Sequence, residues 1–177
     1  MNRMLNNKEI QEILNTTRVF HDADLRYMEL DDIDFSRASF SECDLRFVKF
    51  NECELENCRF INCDLRHARF DCCNMTIIEM RWSLLTGVRI DSCSCAHAQI
   101  NECDMTDARI INVTLTESSF VGSNLTNVEL WDVDARESDF TMVDMRGADL
   151  SSSRFTGSQM PFKYNKTTEI GEYPDEE

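Results

Sequence analysis

The chain has 177 residues, a formal net charge of −15 at pH 7, 42% hydrophobic residues and 29% charged ones. That length suits one domain with a continuous core, and the charge excludes direct binding to nucleic acid or to an anionic membrane, both of which call for a basic surface. Two readings of the acidity are left: plain solubility, or acidic groups presented to a basic, DNA-handling protein partner. Glycine (5) and proline (2) are scarce, which predicts few turns of the type that needs them.

The first residues, Met1 to Lys8, lack the apolar run of a signal peptide. No stretch approaches the ~20 apolar residues of a membrane span. With nine cysteines and no export signal, the chain is expected in a reducing, cytoplasmic setting. Residues 7–15 read as a short helix, with Asn7 as N-cap and Ile10, Ile13 and Leu14 on one face. Residues 1–17 are therefore expected to cover one end of the domain.

From Phe20 to Met160 every fifth residue is large and apolar, except Cys95 and Ala135, and the phase never slips. From Leu25 on, the residue two places before each of these is mostly small or slender: Ala23, Met28, Ile33, Ala38, Cys43, Val48, Cys53 and so on to Ser158. The other three places in each five are largely polar. A period of five fits neither a helix nor a simple strand. It fits a coil with flat sides of five residues, each side turning one large and one small side chain inward.

Ala23-Asp24-Leu25-Arg26-Tyr27, Cys43-Asp44-Leu45-Arg46-Phe47, Ser123-Asn124-Leu125-Thr126-Asn127 and Ala148-Asp149-Leu150-Ser151-Ser152 resemble the A(D/N)LXX motif of the pentapeptide-repeat family. The resemblance implies an all-β fold, a right-handed quadrilateral β-helix with four pentapeptides per coil and about seven coils. The expected division is 1–17 capping helix, 18–162 β-helix and 163–177 acidic tail. Past Met160 the period is lost, and the tail is expected either to be disordered or to cover the second end.

Seven cysteines (Cys43, Cys53, Cys58, Cys63, Cys73, Cys93 and Cys103) occupy the small inward position, where free cysteine acts as a slim hydrophobe. Their spacing follows the repeat and not the C-x2-C pairs of a metal site, and His21, His67 and His97 fall on different sides. No metal, no cofactor and no catalytic residue is expected. Cys72, at an outward position, is the thiol expected to meet solvent.

Residues 20 apart should stack in neighbouring coils. The recurring Asp-Leu-Arg triplets, Asp24/Arg26, Asp44/Arg46, Asp64/Arg66 and Asp144/Arg146, then form paired columns with a structural role. The next side carries a column of Lys49, Arg69, Arg89 and Arg109, and beside it the acids Asp31, Asp32, Glu52, Asp71, Asp91, Glu129, Asp132 and Asp149. This most negative side is the expected partner surface. An apolar alternative is formed by Ile111 and Trp131, expected as direct neighbours, with Trp82 on another side.

The family resemblance extends to members that protect DNA gyrase from quinolones by occupying its DNA-binding saddle. It implies a DNA mimic that binds a topoisomerase or another DNA-handling enzyme. Many of those relatives carry loops that interrupt the repeat, and this chain has none between residues 20 and 160. The other reading is an interaction scaffold or bacterial effector without mimicry. The family also implies a homodimer through the C-terminal end, for which Phe155, Met160, Phe162 and Tyr164 would supply the seam.

Overall fold

The computed structural model describes residues 4–161 and the backbone of residues 169 and 170. The chain winds as a parallel β-solenoid of about seven turns behind one short helix. Each residue pairs with the one 20 positions on, so Val19 lies beside Ser39, Phe20 beside Phe40 and His21 beside Ser41. A 20-residue coil divided by a five-residue repeat has four sides.

Two opposite sides are regular sheets of three-residue strands. One contains β1 (Val19–His21), β3 (Ser39–Ser41), β5 (Arg59–Ile61), β7 (Glu79–Arg81) and β9 (Gln99–Asn101), in that order. The other begins with β2 (Glu29–Asp31), β4 (Lys49–Asn51), β6 (Arg69–Asp71), β8 (Arg89–Asp91) and β10 (Arg109–Ile111). It continues through β11 (Glu129–Trp131) and β12 (Asp149–Leu150) to β13 (Glu169–Ile170). The two sides between them are columns of single bridges, such as Asp24 to Asp44 to Asp64 and Asp34 to Glu54 to Asn74.

The interior follows the five-residue period. Phe20, Phe40 and Phe60 stack with ring centroids 4.5 and 4.6 Å apart, and Phe50 and Phe70 stack at 5.0 Å. Phe60 meets Phe50 and Phe70 edge-on. Such ring pairs add about 0.5–1.5 kcal/mol each beyond the area they bury.

Cysteine and serine at the small inward position do more than fill space. The Cys43 thiol donates to the Phe20 carbonyl at 3.4 Å, and the Ser83 hydroxyl to the Phe60 carbonyl at 3.2 Å. Ser83 also accepts from the Cys63 N–H at 3.1 Å. A small donor–acceptor therefore satisfies backbone groups that point into the core, where an unmet one costs about 1–3 kcal/mol. The seven cysteines at this position are buried together with Cys95, Cys72 is exposed, and all nine are free thiols. Burial pushes the Cys58 thiol up to about 12 and that of Cys103 to about 11, so these sulfurs are protonated and poorly nucleophilic.

The corners correct one expectation. Scarce glycine predicted few left-handed turns, yet every fifth residue from Asp22 to Gly157 has positive φ, and most of these are not glycine. The conformation is held because the same residue is tied to the next coil: the Tyr27 N–H donates to the Arg46 carbonyl, and Asp32 to Asn51. Bonds of this kind overrule a backbone preference of about 1–2 kcal/mol.

The helix is α1 (Asn7–Leu14), and its N-cap is Asn6, not Asn7. The Asn6 side chain accepts from the Lys8 and Glu9 N–H groups, while the Glu9 carboxylate accepts from the Asn6 N–H, a reciprocal capping box. Ile10 and Leu14 are buried against the first coil, and the Leu5 N–H donates to Asp24. At the far end, Glu169 and Ile170 return at the 20-residue register to pair with Asp149 and Leu150. These two residues thus stand in the register of the repeat. Phe162 and Tyr164 lie outside the described residues.

Candidate protein-binding surface

Two adjacent sides treat their charges in opposite ways. On the side centred on Leu25, Leu45 and Leu65, each aspartate grips the arginine two residues on. Asp24 accepts from Arg26 Nε at 2.9 Å and Nη2 at 2.7 Å, and Asp64 from Arg66 at 2.8 and 2.6 Å. Arg26 Nε also lies 3.4 Å from Asp44, and Arg46 Nε 3.4 Å from Asp64, so the pairs are laced between coils. The Arg26 hydrogen bond holds the Asp24 carboxyl below the usual carboxylate range. Burial pushes Asp64 the other way, but the Arg66 hydrogen bond and charge more than offset it. The expected structural ladder is present, and its carboxylates are neutralised.

The neighbouring side is the eight-stranded sheet, and here the charges segregate. One outward column reads Glu29, Lys49, Arg69, Arg89, Arg109, Glu129, Asp149 and the other Asp31, Asn51, Asp71, Asp91, Ile111, Trp131, as the strand register shows. Glu129 and Asp149 therefore stand in the basic column itself. Glu129 is taken by Arg109 at 2.6 Å, and Glu29 by Lys49. Between those two closed pairs Arg69 and Arg89 have no ion-pair partner among the described residues. The same holds for Asp31, Asp32, Glu52, Asp71, Asp91, Asp132 and Asp149. Asp31 accepts from the Asn51 amide, and Asp32, Glu52 and Asp132 sit exposed on the left-handed corner of this side. Of the acids expected to meet a partner, all but Glu129 are free to do so.

Ile111 and Trp131 are direct neighbours, as the spacing predicted. Trp131 is 58% exposed, its indole N–H donating to the Ser151 hydroxyl at 3.1 Å. Trp82, on another side and 55% exposed, donates to Glu102 at 2.8 Å. At the C-terminal end Phe155 and Met160 are half-buried against the core, and Phe155 meets Phe140 edge-on. The concavities are shallow. One of about 370 Å³ lies along Asp24, Arg26, Asp44 and Arg46.

One surface feature was not anticipated from the sequence. Tyr27, Phe47 and His67, at the corner between these two sides, stack with centroids 5.1 and 5.0 Å apart. The column continues onto Gly87, where an added Cβ would lie 2.6 Å from His67 Nδ1. The 20-residue spacing of the three rings was the available signal.

Residues 15–100 and 48–120 match the family model described as pentapeptide repeat region, and residues 103–141 and 118–157 match the one described as pentapeptide repeats. The chain belongs to the pentapeptide repeat family. No curated protein sequence matches it. Among solved structures it is similar to HetL, a pentapeptide repeat protein involved in heterocyst differentiation regulation in the cyanobacterium Nostoc. The identity is 17%, the TM-score 0.32, and the match covers 89% of this chain and 98% of that one. It is also similar to QnrB1, a plasmid-mediated fluoroquinolone resistance protein (18%, TM-score 0.34, 80% of this chain and 91% of that one). A pentapeptide repeat protein of the Arabidopsis thaliana thylakoid lumen matches at 20%, with a TM-score of 0.31, over 68% of this chain and 70% of that one. No helix among the described residues is long and apolar enough to cross a membrane.

Proposed function

We propose that this pentapeptide repeat protein is a non-enzymatic acidic rod that binds the basic groove of a DNA-handling enzyme, a topoisomerase such as DNA gyrase or a nuclease, in place of DNA. The observation that carries the reading is a set of carboxylates without an ion pair among the described residues: Asp31, Asp32, Glu52, Asp71, Asp91 and Asp132 along one edge, and Asp149 at the end of the other. On the neighbouring side Asp24, Asp44, Asp64 and Asp144 are held by arginine, and these are not. They are fixed on a rigid lattice at the ~4.8 Å coil pitch. Seven coils span ~34 Å, close to one turn of duplex DNA at ~34–36 Å. Such a surface meets lysine and arginine without a loss of side-chain freedom on its own strands.

The test is competition. The purified rod is offered to gyrase and to a bacterial lysate, with and without duplex DNA. Capture of the enzyme that DNA abolishes, and that Asp32→Asn/Glu52→Gln/Asp132→Asn weakens, supports mimicry. Capture indifferent to DNA and to those substitutions overturns it. The exposed Trp131 beside Ile111 favours a second reading, an interaction scaffold docking through an apolar anchor. In that case Trp131→Ala, and not the corner substitutions, removes binding.

A further inference from the structure

The two outward columns of the eight-stranded sheet carry a pattern that its own chain leaves unsatisfied. On β6 and β8 the residues Arg69 and Asp71, and Arg89 and Asp91, stand two apart, about 7 Å along each strand. Arg69 lies beside Arg89, and Asp71 beside Asp91, at the coil pitch. Like charges directly opposite on a sheet repel, and none of these four groups has an ion-pair partner among the described residues. Arg69, Arg89 and Asp71 are half-buried and Asp91 is exposed.

We propose that this face pairs with the same face of a second copy of the chain, rods parallel, about a two-fold axis running along the rod. That operation exchanges the two columns while keeping every coil level. Arg69 then meets the partner's Asp71 and Arg89 the partner's Asp91, and the two-fold axis repeats both contacts, four ion pairs in all. The pitch selects the occupant: carboxylates spaced at the same ~4.8 Å are what another stack of parallel strands presents. An axis across the rods fails. It lays the basic column on the basic column and leaves Asp71 and Asp91 facing a column that contains no base.

The same operation places Trp131 opposite the partner's Glu129, beside the closed Arg109–Glu129 pair, where its exposed ring covers the arginine stem and guanidinium. One contact is adverse, because Glu29 meets the partner's Asp31. The face is about 34 Å long and one strand wide, well under the ~800 Å² per partner of a standard interface. The expected dimer is therefore weak and in rapid exchange. It covers Asp31, Asp71 and Asp91, so a second copy and a DNA-handling enzyme would compete for these three acids, whereas the corner acids Asp32, Glu52 and Asp132 stay outside the contact and test the mimicry reading separately.

The test is a charge swap read by sedimentation velocity in ~0.15 M salt. There the Debye length of about 8 Å screens the repulsion between two acidic rods while leaving close pairs intact. The wild-type chain is expected to shift from monomer to dimer as its concentration rises. Arg69→Asp/Arg89→Asp and, separately, Asp71→Arg/Asp91→Arg should each weaken self-association at least about tenfold. Mixed together they should associate, since each then offers the charge the other lacks. Asp31→Asn should tighten the wild-type dimer. Circular dichroism checks the fold, and the milder Arg69→Ala/Arg89→Ala pair stands in if a swapped chain fails to fold. A wild type that stays monomeric overturns the proposal, as does self-association that survives both swaps, which would place the contact elsewhere, at the C-terminal end for example. Swapped chains that stay apart when mixed overturn it as well.

Discussion

The side that carries the Asp–Arg triplets and the eight-stranded side next to it share one pitch and similar numbers of charges, although the first is a column of single bridges and the second a sheet of short strands. They differ in where the charges stand. On the first, acid and base lie two residues apart around an inward leucine, and the arginine folds back onto its own aspartate and reaches that of the next coil. On the second, acid and base also lie two residues apart, but flank a strand that holds both outward and parallel. A bridge position lets neighbours close on each other, whereas a strand keeps them separate. The first side is consumed in stability, and the second remains available to a partner.

Removing one carboxylate from each side should separate the two most strongly. Asp24 is 7% exposed and accepts from Arg26 Nε, Nη2 and N–H. Asp24→Ala should cost about 2 kcal/mol in urea unfolding, because it strips three bonds from a partly buried charged pair. Asp71→Ala, with no ion pair to lose, should stay within about 0.5 kcal/mol of wild type. Equal losses at the two sites would mean that the distinction between the sides is only apparent.

Acid should separate the sides next. Asp24, Asp64 and Asp144 have carboxyls held below their ordinary value of 3.8 by hydrogen bonds from the arginine two residues on, against the opposing effect of burial. The sign comes from linkage: the folded state binds protons less readily than the unfolded one, so these groups stabilise the fold above 3.8. That contribution is lost as pH falls through their lowered folded values. Unfolding midpoints measured from pH 5 to pH 2 should drop more steeply for wild type than for Asp24→Asn/Asp64→Asn/Asp144→Asn. An unchanged slope would show that the arginine ladder does not hold these protons off.

The corner between the two sides gives a smaller effect. Gly87 has φ +66°, and an added Cβ would sit 2.6 Å from His67 Nδ1. Gly87→Ala should cost about 1 kcal/mol through the left-handed backbone and displace His67 from Phe47. Where space is open the rule reverses. Ile77 holds φ 58° with a β-branched side chain, 48% exposed, and Ile77→Gly should gain by a similar amount in thermal unfolding.

Much of this was legible in the order of residues, because the period of five assigns every side chain an inward or outward place and a period of 20 assigns its neighbours. The Asp–Arg ladder, the thiol columns and the Ile111–Trp131 contact came from that arithmetic. What it could not carry was backbone conformation. Left-handed corners at residues such as Tyr27, Phe47 and Trp82 contradict their local preferences, and the inter-coil bonds that impose them exist only once the coils are stacked. The N-cap was misplaced by one residue because Asn6 and Asn7 are both good caps. Only the Glu9 side chain, three residues after Asn6, decides between them. On the acidic side the columns were anticipated, but the closing of Glu129 onto Arg109 needed side-chain geometry, since the same register leaves Arg69 and Arg89 open.

That open pair allows the finest test of the two sides. Arg89 stands between Arg69 and Arg109 in register, and Arg109 is already engaged by Glu129. Arg89→Glu replaces a base flanked by two bases with an acid flanked by the same two, so repulsion on both sides becomes attraction. The gain is limited, because Asp91 lies two residues along the same strand and opposes a second acid there. Exposed cross-strand pairs contribute roughly 0.2–1 kcal/mol, and a net rise of a few tenths is expected at concentrations where the chain is monomeric. The matching change on the laced side, Arg46→Glu, takes a guanidinium away from Asp44 and Asp64 and sets three acids together, so it should lower stability. Opposite signs from the same reversal on neighbouring sides would show that the arginines of the triplets hold the rod together, while those of the sheet are kept for something outside it. A loss in both variants would mean that Arg89 has a stabilising role on its own chain and is not held in reserve for a partner.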